Sequence, residues 1–188
     1  FLECAMDIKG PLPETSRGNK YILVFVDLCT GFLIVIPLPN TESVTIARSL
    51  VDYVFSVHGA CYTLKSDNAK YFTSQIMEDL ASLYGYYSIC SLPFNPQGNL
   101  QSEVNVKRIS HLLQRFCVGM KEWDTPMQPL AHALNCTHNE DRGRSAFYLL
   151  FGREPIGPAE LAWPDITPEE LKTGTGFVDS LSEKLHKV

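Results

Sequence analysis

Three short apolar runs open the chain, at residues 2–9, 21–26 and 32–36. The second and third runs are rich in β-branched and aromatic residues, which favour strands. Gly10 and Pro11 end the first run, and a turn at residues 27–31 separates the other two. This short connection predicts that the second and third strands are antiparallel neighbours. Because proline lacks a backbone N–H, Pro37 and Pro39 are expected to end the third strand.

Beyond residue 40 the spacing of apolar residues changes from strand-like to helical. Between residues 43 and 55 they recur every three or four positions, which predicts an amphipathic helix. Asn40 or Thr41 is expected to cap this helix, and Gly59 to close it. The remaining pattern predicts strands at 62–65 and 86–90 and helices at 74–84, 100–117, 126–139 and 145–151. The predicted core includes Phe25, Val26, Ile34, Leu50, Val54, Leu80 and Leu113.

The order of these elements predicts an α/β fold, in which helices flank a mixed five-stranded sheet. The 188 residues suffice for one well-cored domain and leave little room for a second. We interpret residues 1–155 as this core domain. Residues 156–188, where prolines and glycines accumulate, are interpreted as a linker with a short helix. Because the chain starts inside a predicted strand, we expect it to be a piece of a longer polypeptide.

Composition narrows the class of protein. Hydrophobic residues make up 45% and charged residues 20%, which is typical of a folded globular domain. No apolar run approaches the roughly 20 residues that a membrane span needs, so no membrane partner is predicted. The net charge of −5 argues against a protein that coats nucleic acid, because that task needs a surplus of Lys and Arg. Any DNA contact would need a local basic face.

Six cysteines are present, and none forms a Cys-x-x-Cys pair. Most have apolar neighbours, so we expect free, reduced and largely buried thiols in an intracellular protein. His132 and Cys136 lie four residues apart on a predicted helix and could share one face. A structural zinc site there is the alternative, but no second Cys or His pair has matching spacing.

Three acidic residues stand next to the ends of predicted elements. Asp7 lies near the end of the first strand, Asp67 directly follows the fourth, and Glu103 lies near the start of the helix behind a Pro/Gly loop. If the first and fourth strands are neighbours, Asp7 and Asp67 project side by side, and the loop lets Glu103 face them. Three carboxylates without Cys or His form a hard oxygen site that selects Mg²⁺ or Mn²⁺. Taken singly, each acid could instead serve a turn or a helix cap.

Five segments resemble the integrase catalytic cores of retroviruses and gypsy-class retrotransposons: MDIKGPLP at residues 6–13, YILVFVD at 21–27, LKSDNAKYFTS at 64–74, PFNPQGNLQSE at 93–103 and SAFYLLFGREP at 145–155. Together they cover roughly residues 5–155 in collinear order. Thirty-five residues separate Asp67 from Glu103, which is the characteristic spacing of that family. Several motifs that agree in order and spacing are more specific than any one of them.

The resemblance implies a ribonuclease H-like fold in which Asp7, Asp67 and Glu103 are catalytic and bind two Mg²⁺ or Mn²⁺ ions. It implies DNA strand transfer, in which water attacks near a DNA 3′ end and the new 3′ hydroxyl then attacks target DNA. The implied partners are the DNA ends of an element, target DNA and a second copy of the chain, since such cores commonly form homodimers. Action on chromosomal DNA would require a nuclear location.

Candidate DNA-binding residues lie in the loop before Glu103 and on the helix after it: Asn95, Gln97 and Asn99 in the loop, and Lys107, Arg108 and Arg115 on the helix. The loop residues could touch DNA near the reactive phosphate, or they could stabilise the loop by hydrogen bonds. Lys107 lies one helical turn beyond Glu103 and is the first candidate for a phosphate contact. The alternative for these cations is a solvated helix face.

The chain departs from the family pattern at four positions. Ala69 and Leu100 stand where the family usually has glycine, Val104 where it has arginine, and Val106 where it has asparagine. The two valines replace polar groups that face the active site or DNA, which suggests weaker or altered DNA handling. Two hypotheses therefore remain. One is an active polynucleotidyl transferase or nuclease, and the other is a non-catalytic binding or scaffold domain that a host retained from an integrase.

Overall fold

The computed structural model describes residues 1–90 and residues 110–155, apart from 112, 114, 116 and 118. Five strands form one sheet: β1 (Glu3–Lys9), β2 (Tyr21–Asp27), β3 (Leu33–Leu38), β4 (Thr63–Ser66) and β5 (Tyr87–Cys90). Their order across the sheet is β3-β2-β1-β4-β5. The first three strands are antiparallel neighbours, whereas β4 and β5 run parallel to β1. The predicted mixed five-stranded sheet is confirmed, and β1 and β4 are the neighbours that the site prediction requires.

The helices are α1 (Ser43–Leu50), α2 (Ser56–His58), α3 (Gln75–Tyr84), α4 (Met127–Cys136) and α5 (Ala146–Phe151). A π-helical turn at Val51–Phe55 joins α1 to α2, and Gly59 follows them as predicted. Between 110 and 117 the described residues are helical, which confirms that part of the long helix predicted at residues 100–117. α3 ends at Gly85, whose φ of 73° lies in the left-handed region that favours glycine.

Two compact units divide between Leu134 and Asn135. The second unit contains a hairpin of two short strands, β6 (His138–Asn139) and β7 (Arg144–Ser145), followed by α5. Ser145 caps α5, because its Oγ accepts a hydrogen bond from the Tyr148 N–H at 3.0 Å. The predicted domain boundary after residue 155 stays a prediction, since residues 156–188 lie outside the described residues.

The main sheet lies between two hydrophobic cores, because successive side chains along a strand point to opposite faces. One core joins Cys4, Met6, Leu23 and Phe25 of the sheet to α1 and α3. The other joins Ala5, Ile22, Val24 and Val26 to Leu113, Trp123 and Met127. Asp7 is two residues from Ala5, so its side chain leaves β1 on the face of the second core. The helical residues around Leu113 cover that same face.

Most of the predicted core is confirmed. The buried members are Phe25, Val26, Leu50, Val54, Leu80 and Leu113. Ile34 is only half-buried, although its neighbours Leu33 and Val35 on the edge strand β3 are buried. Burial of a side chain on an edge strand depends on what covers the sheet there, which periodicity alone does not reveal.

Some predicted element boundaries are wrong. The helix predicted at residues 126–139 ends at Cys136, because His138 and Asn139 pair with β7 as a strand. β3 does not stop before Pro37 but continues to Leu38, with Pro37 opposite Ile22. An edge strand tolerates proline because the missing N–H can face away from the neighbouring strand. The cap position of α1 is Glu42, without a side-chain cap, rather than Asn40 or Thr41. Asn40 instead accepts a hydrogen bond from the Glu42 N–H at 3.0 Å, which closes a turn before the helix.

None of the six cysteines forms a disulfide bond, which agrees with the predicted reduced thiols. Cys4, Cys61 and Cys117 are buried, Cys29 is exposed, and the remaining two are half-buried. Burial raises the pKa of the Cys117 thiol to about 11, which keeps it protonated near neutral pH. Within the part of the chain that the structure describes, no helix combines the length and the apolar character that crossing a membrane requires.

A buried acid, Asp124, holds the connection between β1 and β2. Its Oδ2 accepts hydrogen bonds from Thr15 Oγ1 at 3.0 Å and from Asn19 Nδ2 at 2.7 Å. Beside it, the Trp123 indole N–H donates to the Pro13 carbonyl at 2.7 Å. These bonds join residues between 105 and 110 positions apart in the sequence. They hold the segment that leads directly out of β1, the strand that carries Asp7.

The stabilisation from Asp124 should weaken at low pH. Burial acts to raise the pKa of this carboxyl, but hydrogen bonds from Asn19 and Thr15 and the charge of Arg17 outweigh it, so the pKa lies below the ordinary value of 3.8. A carboxyl with a depressed folded-state pKa stabilises the protein above its unfolded-state pKa. That contribution is lost as the pH falls through the folded-state pKa.

We therefore expect Asp124→Asn to lower the free energy of unfolding at pH 7 by about 1–3 kcal/mol. The difference from wild type should shrink below about pH 4, where the wild-type carboxyl begins to protonate. Urea denaturation at pH 7 and at pH 3 measures both quantities. An equal difference at the two pH values would contradict the assignment of this stabilisation to an ionised Asp124.

Candidate metal centre

Asp7 and Asp67 lie at the carboxyl ends of two adjacent parallel strands. β1 pairs with β4 in a register that sets Cys4 against Leu64 and Ala5 against Lys65. Continued by two residues, this register brings Asp7 level with Asp67, the first residue after β4. Residues at the same level of paired strands point to the same face of a sheet. The two carboxylates are therefore neighbours on one face, as the sequence predicts.

Tyr71 lies within electrostatic reach of both acids. Partial burial is the main cause that raises the pKa of its phenol, and the negative charges of Asp67 and then Asp7 raise it further. One phenol can respond to both charges only if both carboxylates lie near it. Ser43 of α1 holds the backbone here, since its hydroxyl donates to the Tyr71 carbonyl at 3.0 Å. No pattern in the sequence distinguishes Tyr71 as a site residue, and its position four residues after Asp67 is its only signal.

Asp7 is mostly buried and has one charged neighbour on its own strand. The Lys9 ammonium lies 2.9 Å from Asp7 Oδ2, and the two side chains are 19% and 13% exposed, respectively. The contact balances charge, but among the described residues this buried oxygen has no hydrogen-bond donor. A buried carboxylate oxygen without a donor is costly unless a cation satisfies it. Asp7 therefore fits the role of a metal ligand.

Asp67 combines a turn role with capacity for a ligand. It is exposed, and its Oδ1 accepts a hydrogen bond from the Ala69 N–H at 3.2 Å. The alternative interpretation, in which Asp67 forms a turn, is therefore confirmed. A carboxylate has about four acceptor positions, so one long hydrogen bond leaves room for a cation. The turn also fixes the direction in which the side chain leaves β4.

Gly10 shapes the end of the strand that carries Asp7. Its φ is +144°, and a Cβ atom there would come within 2.5 Å of a Tyr21 ring carbon and 2.8 Å of the Lys20 carbonyl oxygen. Any other residue would push the strand end away from β2. Gly10, which the sequence predicts to end the first strand, is therefore also required for steric reasons beside the acids.

The third predicted ligand, Glu103, lies outside the described residues, as do the DNA-binding candidates Asn95, Gln97, Asn99, Lys107 and Arg108. Among residues 1–90 and the described part of 110–155, no group of three or more His, Cys, Asp or Glu residues could hold a metal ion. Two carboxylates with one unsatisfied buried oxygen nevertheless provide hard oxygen donors of the kind that Mg²⁺ and Mn²⁺ prefer. The described part of the site fits such an ion.

The order and pairing of the strands, with acids at the ends of β1 and β4, agree with comparisons to known proteins. Residues 4–96 match the family described as integrase core domain. The matched range includes both Asp7 and Asp67, the acids at the ends of β1 and β4. Superposition of this chain on the catalytic core domain of BIV integrase gives a TM-score of 0.61 at 18% identity, covering 80% of this chain and 93% of that one. That likeness establishes the ribonuclease H-like fold.

Sequences similar to this chain come from animals and from viruses. Gypsy retrotransposon integrase-like protein 1 of Bos taurus is 23% identical over 183 residues, which cover 95% of this chain and 36% of the relative. The Gag-Pol polyprotein of feline leukemia virus is 27% identical over 140 residues, which cover 73% of this chain and 8% of the relative. The chain thus spans about a third or less of the length of these curated relatives.

Proposed function

We propose that this chain is the catalytic core of a DNA strand-transfer enzyme that processes a DNA 3′ end and joins it to target DNA with two Mg²⁺ or Mn²⁺ ions. One observation carries the proposal. Asp7 and Asp67 stand at the carboxyl ends of adjacent parallel strands, within residues 4–96, which match the integrase core domain family. The buried Asp7 oxygen without a hydrogen-bond donor adds support, because a cation is the partner that it lacks.

In this proposal Asp7, Asp67 and Glu103 hold the ions. Bound there, the ions would strengthen the attacking oxygen as a nucleophile and neutralise charge on the reacting phosphate. The chain's own contribution is rigidity, because β1 and β4 fix two carboxylates and a helix that packs on the same face would carry the third. The DNA must be oriented so that the attacking and leaving oxygens are in line. No covalent bond between protein and DNA is needed.

DNA would bind through a local basic face, since the chain as a whole is acidic, with a net charge of −5. We propose phosphate contacts from Lys107 and Arg108 and contacts near the reactive phosphate from Asn95, Gln97 and Asn99. Arg115, one of the described helical residues, is exposed and would extend the basic face. The proposed partners are element ends, target DNA and a second copy of the chain, and chromosomal target DNA implies a nuclear location.

A second candidate is a non-catalytic binding or scaffold domain of integrase origin. Val104 and Val106 favour it, because they replace side chains that would face DNA beside Glu103. Host-genome relatives such as the Bos taurus protein are described as integrase-like. Both candidates predict the same fold and differ in whether DNA is cleaved.

The test is a gel-based time course with branched DNA in Mn²⁺, comparing wild type, Glu103→Gln and the double variant Val104→Arg, Val106→Asn. The enzyme proposal predicts slow cleavage by wild type, faster cleavage or tighter DNA binding by the double variant, and none by Glu103→Gln. If the double variant folds and binds metal but cannot be distinguished from Glu103→Gln, the scaffold proposal is the correct one.

A further inference from the structure

The Lys9 ammonium lies where a metal ion on Asp7 would have to approach. Both residues belong to β1 and are two positions apart, so their side chains leave the strand on the same face. The Lys9 Nζ is 2.9 Å from Asp7 Oδ2, and both side chains are mostly buried. Within the described part of the chain that same oxygen has no hydrogen-bond donor, so the lysine balances its charge without satisfying it by hydrogen bonding.

A second lysine of the sheet, Lys65, forms an ion pair that also has hydrogen-bond geometry. Lys65 of β4 donates a hydrogen bond to Glu3 Oε2 at 2.9 Å. Lys65 is as buried as Lys9, but its carboxylate partner is about half exposed and lies at the start of β1, away from Asp7. Each lysine Nζ therefore lies 2.9 Å from a carboxylate oxygen. The Lys65–Glu3 contact has hydrogen-bond geometry, and the Lys9–Asp7 contact does not.

A metal ion and this ammonium cannot share the Asp7 oxygen. Mg²⁺ binds carboxylate oxygens at about 2.0–2.1 Å, which would bring it within a few ångströms of a positive charge in a partly buried site. Lysine has a flexible four-carbon stem and a compact charge, so it can move out towards solvent. The pair can therefore open without any change in the sheet.

We propose that Lys9 is a tethered competitor for the metal at Asp7, which occupies the carboxylate until a divalent cation displaces it. This inference rests on the proposed metal site and adds the residue that sets its affinity. In this proposal Lys9 acts through Asp7 in the metal-free state and does not contact the reacting atoms, so it is a positioning residue. The acids would then be charge-balanced without metal, and loading would require a higher concentration of Mg²⁺ than bare carboxylates need.

The test is titration of Mg²⁺ and of Mn²⁺, each without DNA, into wild type, Lys9→Met and Lys65→Met by calorimetry. Lys9→Met should bind metal more tightly by about fivefold or more, because an ion pair of this kind no longer opposes binding. Lys65→Met removes one positive charge from the same sheet but none from the Asp7 oxygen, so its affinity should change by less than about twofold. The pair of variants separates contact with Asp7 from net charge.

Thermal unfolding gives a second readout that needs no activity. Without metal, Lys9→Met should have a lower Tm than wild type, since Asp7 is left as a buried charge with no counter-charge. Saturating Mg²⁺ should raise the Tm of this variant more than that of wild type. If Lys9→Met fails to fold, Lys9→Gln replaces it in both measurements, because glutamine keeps a polar group at this position.

Equal metal affinities for wild type, Lys9→Met and Lys9→Gln would overturn the proposal for Lys9 while leaving the metal site intact. Equal affinities for wild type and Asp7→Asn would instead overturn the metal site itself, and the Lys9 proposal with it. The Asp7→Asn measurement therefore distinguishes the two failures.

Discussion

Asp67→Asn is expected to remove metal-dependent DNA cleavage, with a loss of at least about a hundredfold, because even residues that only support a metal ligand contribute 10- to 100-fold. Asparagine has the size of aspartate but no charge, so it holds a dication poorly. Its Oδ1 can still accept the hydrogen bond from the Ala69 N–H that closes the turn after β4. The loss would thus reflect the charge at Asp67 rather than the shape of the turn.

Cleavage in Mn²⁺ and calorimetric metal titration should fall together in this variant. Asp79→Asn is the matched control, because Asp79 is an exposed aspartate on α3 that accepts a hydrogen bond from Gln75 Nε2 and lies outside the site. It should leave both measurements unchanged. If wild type and Asp67→Asn give the same millimolar-range metal heats, Asp67 is not a ligand and the proposed centre is wrong.

Trp123→Ala is expected to cost about 3–5 kcal/mol of stability, the usual cost of truncating a buried aromatic side chain. Trp123 is fully buried in the core that covers the Asp7 face of the sheet. Its indole N–H donates to the Pro13 carbonyl at 2.7 Å, so the change also leaves that carbonyl without its donor. Because Pro13 lies in the connection from β1 to β2, we expect this connection to be less ordered in the variant.

Urea denaturation followed by circular dichroism measures this cost. Trp123→Phe keeps most of the apolar volume but loses the N–H donor, so it should fall between wild type and Trp123→Ala. Met120→Ala, at a side chain that is 40% exposed, is the control and should change stability by less than about 1 kcal/mol. A cost below about 1 kcal/mol for Trp123→Ala would mean that residues 120–125 do not pack on the sheet as described.

The sequence by itself predicted the five strands of the main sheet, most of the helices and the position of Asp7 beside Asp67. Period-two and period-3.6 patterns are local, and they state which face of each element is apolar. Gly10 and Gly85 marked element ends because their backbone conformations or close contacts exclude other residues. The pairing of Asp7 with Asp67 followed from the order of elements together with the family resemblance, and the register of β1 and β4 agrees with it.

Only the tertiary structure decided the features that depend on which elements become neighbours. Pro37 could stay within β3 because that strand is at the edge, a position that no local pattern specifies. Thr15 and Asp124 meet across 109 residues, and the partial burial of Asp7, Lys9 and Tyr71 depends on the strands and helices packed around them. Charge balance, burial and hydrogen-bond satisfaction are set by distances in space. The sequence therefore predicts which acids are neighbours, and the fold determines which charged groups lie beside them.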